Sequence, residues 1–176
     1  MDFNNTGGAQ INQVAGSAAN VISAPLSLTS GLTIANSSAS NLGLNGVISG
    51  AGSLTVNSSG AGFVNLSAAN THSGGTTLTA GTLRLGNSAA VGTGTLILNG
   101  GTLSSDSGTA RTISNAVSLG GNVGLAQASG GTGTMTFSGA TTLTANSTIT
   151  TNQTTTYSGT ITDELAVFES WNRKKR

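Results

Sequence analysis

A period near twenty residues most constrains what this chain can fold into. Phe63, Leu83, Leu103, Val123 and Leu143 stand twenty residues apart, and so do Ile97, Val117, Phe137 and Tyr157. Gly81, Gly101 and Gly121 keep the same step. A longer echo repeats Ile22-Ser23 and Ser27-Leu28 as Ile113-Ser114 and Ser118-Leu119. A unit this short cannot bury an apolar face alone, so successive copies must stack and share one core.

Within each unit the pattern is that of short strands. GTLRLG (81–86), GTLILNG (94–100) and GSLTVN (52–57) each alternate apolar with polar residues and close on Gly or Asn. Helix is disfavoured by 27 glycines and by the many β-branched residues. Aromatics are only 3% and hydrophobic residues 36% of the chain. That mix suits a narrow column of Val, Leu, Ile and Ala with Thr, Ser and Asn facing out. The expected fold is therefore all-β: a parallel β-helix, or β-solenoid, of about eight coils of roughly twenty residues each. It spans residues 1–162, with the clearest repeat at about 44–104.

The run LSAANTHSGGTTLTAGTLRLG, from Leu66 to Gly86, resembles the passenger-associated repeat of bacterial autotransporters. The repeat-motif positions are Leu66, Asn70, Thr71, His72, Gly74, Gly75, Thr76, Thr77, Gly81, Thr82 and Leu83. Three positions depart from the family pattern. Ala68 stands for a glycine, His72 for a tyrosine and Ser73 for a threonine. Upstream, Asn57 or Ser58 stands where the family has a lysine. The resemblance implies a right-handed coil, which is also the usual hand of parallel crossovers. It further implies a passenger segment displayed on, or secreted from, a Gram-negative cell. The opening MDFNNTGGAQ does not read as a signal peptide, and the family's translocator barrel is not read in this chain.

Charge excludes several functions. Charged residues are 6% of the chain, and residues 1–162 carry only Asp2, Arg84, Asp106 and Arg111. A body without lysine offers no basic groove for nucleic acid and no phosphate-binding P-loop. No apolar run is long enough to insert in a membrane as a helix. With no cysteine, one histidine and two body acids, no metal or other cofactor is expected. A polysaccharide-cleaving enzyme needs two acids on one face, and DSGTAR (106–111) reads as an exposed loop. His72 reads as a half-buried ring filling a turn rather than as a catalytic group. The chain is thus expected to be non-enzymatic, with unknown host or bacterial surface molecules as partners and self-association through open coil ends.

Thr-x-Thr pairs raise an alternative: a threonine-row ice-binding module. Among them are Thr77/Thr79, Thr93/Thr95, Thr134/Thr136, Thr142/Thr144, Thr148/Thr150 and Thr160/Thr162. They do not keep one twenty-residue phase, so a single flat array is not expected. The tail, residues 163–176, holds seven of the eleven charges. There Leu165, Phe168 and Trp171 stand three apart, as in a short amphipathic helix, a cap, or a segment foreign to the body.

Overall fold

The computed structural model describes residues 2–3, 8–125 and 130–163. These form a β-solenoid of parallel strands with no helix. The first coils are three-sided. They comprise β1 (Asp2–Phe3), β2 (Ala9–Gln13) and β3 (Asn20–Ile22), then β4 (Leu26–Leu28), β5 (Leu32–Asn36) and β6 (Leu42–Leu44). The next is β7 (Ile48–Gly50), β8 (Leu54–Asn57) and β9 (Phe63–Leu66). Two coils then carry only two strands each: β10 (Thr76–Ala80) with β11 (Thr82–Leu85), and β12 (Leu96–Leu98) with β13 (Thr102–Ser105). Three sides return with β14 (Arg111–Ile113), β15 (Val117–Leu119) and β16 (Val123–Leu125). The last described strands are β17 (Met135–Phe137), β18 (Thr141–Leu143), β19 (Ile149–Thr151), β20 (Thr155–Tyr157) and β21 (Ile161–Asp163).

Eight strands stack as one long sheet, β2-β5-β8-β10-β12-β15-β18-β21, and seven as a second, β3-β6-β9-β11-β13-β16-β19. The third side is two separate ladders, β1-β4-β7 and β14-β17-β20. Down the long sheet Ala9 pairs with Leu32, and Leu54, Thr76, Leu96, Val117, Thr141 and Ile161 follow in register. The steps are therefore 23, 22, 22, 20, 21, 24 and 20 residues. This gives about seven turns of about 22 residues in place of the eight coils of twenty expected. At about 4.8 Å per step the rise is roughly 34 Å.

Unequal coil lengths correct the periodic rows. Phe63 is half-buried on the outer face, and its neighbour Val64 is the buried residue that pairs with Leu83. Leu83 does stack on Leu103, but the next partner of Leu103 is Leu125 rather than Val123. Val123 is buried and pairs with Ile149, while Leu143 belongs to the long sheet, beside Leu119. In the other row Ile97 points outward between the buried Leu96 and Leu98. Val117 is buried in the long sheet, whereas Phe137 and Tyr157 pair on the third side. There the rings stack with centroids 4.8 Å apart and planes 14° apart. The echo between Ser27-Leu28 and Ser118-Leu119 links β4 on the third side to β15 in the long sheet, so it marks no common coil position.

The core is the column enclosed by these sides. Leu78, Leu83 and Leu85 are fully buried, and in the two two-strand coils Gly81 and Gly101 turn the chain at φ 84° and 73°. A side chain there is strained, because L residues rarely adopt positive φ. Each fully buried leucine contributes roughly 1.5–3 kcal/mol relative to exposure. Of the tail, only Asp163 is described; the helix or cap expected beyond it lies outside the described residues.

Candidate functional site

The resemblance segment lies where the third side is missing. After β9 and after β11 the chain runs through 67–75 and 86–95 without a strand. These stretches, SAANTHSGG and GNSAAVGTGT, lack alternation and are rich in turn-forming Gly, Asn and Ser. Side chains replace part of the missing ladder. Asn70 is buried; its Oδ1 accepts from the Ile48 amide at 2.8 Å and its Nδ2 donates to the Ala90 carbonyl at 2.6 Å. Asn115 Nδ2 donates to the Gly92 and Gly94 carbonyls, at 3.0 and 2.6 Å. Ser88 Oγ accepts from the Thr112 amide at 3.1 Å.

The gap leaves a surface groove of about 340 Å³. Asn70, Ser88, Ala89, Gly92 and Thr93 line it from the two-strand coils, and Thr112, Ser114 and Asn115 from the coil that follows. None of these side chains is charged or aromatic. Gly92, at φ 75°, forms part of the wall; a Cβ there would lie 2.4 Å from the His72 carbonyl and 2.8 Å from Nδ1.

His72 lies behind Gly92 and is fully buried rather than half-buried. Its Nε2 is 2.9 Å from Thr76 Oγ1. Thr76 also faces inward, between Leu54 and Leu96 in the long sheet, so it does not face out as an average threonine would. Burial lowers the pKa of His72, and the Ile48 carbonyl opposes that shift, although Nδ1 has no hydrogen bond of ordinary geometry. Among the described residues the ring's hydrogen-bond partner is the Thr76 hydroxyl and no carboxylate is paired with it.

The other flagged positions are structural in placement. Leu66 and Leu83 are in the core, Thr77 and Thr82 are half-buried on outer faces, and Thr71 is exposed. Gly74 sits on the backbone of Gly52, and Gly75 and Gly81 both take positive φ. The charged residues gather at a different corner. Arg111 Nη2 meets Asp106 Oδ1 at 2.8 Å, and Arg111 Nε donates to the Leu85 carbonyl. Both ends of DSGTAR are thus half-buried and tied together, and only residues 108–110 are exposed as a loop. The Arg84 guanidinium lies 4.0 Å over the Phe63 ring, a cation–π contact. Among the described residues no group of three His, Cys, Asp or Glu could hold a metal.

The sequence did not single out Ser88, Thr112, Ser114 or Asn115 for this groove, and it marked Thr93 only as half of a threonine pair. They are brought together only by the coil lengths. The signal that was present is the loss of alternation in 67–75 and 86–95. No family model matches the chain, and neither curated proteins nor solved structures give a match.

Proposed function

We propose that this chain is a non-catalytic structural and adhesive segment of a bacterial autotransporter passenger, displayed at or secreted from a Gram-negative cell surface. The observation that carries the adhesive part is one outward row of the long sheet. Gln10, Thr33, Thr55, Thr77, Ile97, Ser118, Thr142 and Thr162 are in register along its whole length. The row is uncharged, and strand pairing spaces its members about 4.8 Å apart. Such a face presents many weak, equivalent contacts, which favours multivalent attachment over turnover. The residue pattern of Leu66–Gly86 supports the passenger assignment, and the partners are host or bacterial surface molecules together with further copies of the chain. Beads coated with the purified chain should bind bacterial or epithelial cells above albumin-coated beads, and Thr55→Lys with Thr142→Lys should weaken that binding. Equal binding by both kinds of bead would overturn the adhesive reading. A signal peptide upstream and a translocator barrel downstream in the coding region would support the passenger assignment.

The same row favours a second reading, ice binding. The threonine pairs, which share no fixed sequence phase, fall on three sides, yet Thr33, Thr55 and Thr77 are consecutive in the row and Thr142 and Thr162 rejoin it. Ile97 and Ser118 interrupt it. Thermal hysteresis that Thr55→Lys abolishes would establish this reading, and its absence from the unaltered chain would remove it.

A further inference from the structure

We propose that the groove at the missing third side binds a neutral saccharide, a terminal sugar or short oligosaccharide. A rod that only needed to extend would continue β7 into β14 through two more strands. Here the ladder stops for two coils, and buried polar side chains hold the gap in a fixed shape. Asn70 and His72 are 2% and 0% exposed, and both are set by hydrogen bonds to defined partners. Burying such groups is favourable only when they are paired; both polar atoms of Asn70 and the Nε2 of His72 are, so the groove is a built feature and not a slack loop. Gly92 makes its wall rigid, since the His72 ring and carbonyl occupy the space behind it.

The lining chooses the ligand class. Ser88, Thr93, Thr112 and Ser114 are exposed and bring hydroxyl groups to one groove. Hydroxyls both donate and accept, which matches a polyol whose own hydroxyls do the same. The charged corner of Arg84, Asp106 and Arg111 contributes nothing to the lining, so no group there selects an ionised ligand. The volume of about 340 Å³ lies at the lower end of small-molecule sites. That fits one or two sugar rings entering from solvent and does not fit a buried cofactor.

This inference is independent of where the protein is displayed, and it is tested on the purified chain alone. Glucose, galactose, mannose, N-acetylglucosamine and their short oligomers are titrated against isotope-labelled protein, with amide shifts followed by NMR. The expected result is saturable shifts at Gly92, Thr93, Thr112 and Ser114 with at least one neutral sugar, and weaker shifts with glucuronate. Thr112→Val with Ser114→Ala should weaken binding roughly tenfold. Ala89→Trp fills the groove without removing a side-chain hydrogen bond, and it should abolish binding while the other amide signals stay in place. Thr156→Val, on the exposed face of β20 and outside the groove, should leave binding unchanged. Absence of saturable shifts with every neutral sugar overturns the proposal. So does binding that survives Ala89→Trp, or shifts produced by an uncharged peptide and by no sugar.

Discussion

The hydroxyl of Thr76 donates to the Val91 carbonyl at 2.9 Å, so at 2.9 Å from His72 Nε2 it can only accept. That relationship favours the Nε2–H tautomer and leaves the buried Nδ1 without a hydrogen bond of ordinary geometry, the Ile48 carbonyl being the backbone group that opposes the effect of burial. Protonation would place a second N–H in a site where burial already lowers the pKa below 6.5. The folded state therefore disfavours the charged ring more than the unfolded chain does. Its contribution to stability is fully present above about pH 6.5 and is lost as pH falls from there toward the lower folded value. Urea midpoints measured across that window should drop more steeply for the native chain than for His72→Phe. Parallel curves for the two would refute the assignment.

Gly92 allows a separate test of the same wall. Gly16 and Gly92 both have φ near 80°, but a Cβ on Gly16 meets nothing within 4 Å, whereas one on Gly92 meets His72. Gly16→Ala should cost about 1 kcal/mol, from backbone strain alone. Gly92→Ala should cost at least about 2 kcal/mol more, because the ring cannot move away inside a packed column. Chemical denaturation of both variants gives the comparison, and equal losses would show that the wall is not rigid.

The ion pair of Asp106 and Arg111 closes the loop between β13 and β14. The two side chains are 28% and 14% exposed, so solvent screens part of their attraction. Asp106→Asn should cost about 1 kcal/mol or less. Arg111→Ala should cost more, because it also removes the donor to the Leu85 carbonyl. Hydrogen exchange should quicken at residues 107–110 in both variants, and to a greater extent in the second. Unchanged exchange would mean that the pair does not hold the loop.

Inward and outward positions separate what was legible in the sequence from what was not. Alternation in GTLRLG placed Leu83 and Leu85 in the core, and Gly81 at the turn, because period two is a local property of a strand. The twenty-residue rows failed at Phe63 and Ile97, because coil lengths vary from 20 to 24 and one residue of slip reverses a side chain. The resemblance segment drew attention to His72 for being the only histidine, but its burial depends on Thr76 turning inward, which no strand pattern announces. The groove was invisible because its walls come from segments about twenty residues apart. Leu96→Ala should accordingly cost about 2–5 kcal/mol, while Ile97→Thr should stay within about 1 kcal/mol. Similar losses at the two positions would overturn the register.

Association through coil ends is the last expectation, and Ile161 locates it. β21 ends the long sheet among the described strands, and Ile161 is 53% exposed although it continues the inward row of Leu96, Val117 and Thr141. Ile149, in the final strand of the second sheet, is 38% exposed. Among the described residues, core-type side chains and strand edges without a further paired strand thus meet on one end face, which is the arrangement that templates pairing with another chain. Because such a contact joins unlike ends, it does not close and grows with concentration. Light scattering should show a mass that rises with protein concentration, and Ile149→Lys with Ile161→Lys should hold the chain as a monomer while its circular dichroism remains β-rich. A monomer at every concentration before substitution would show that this end face is already covered.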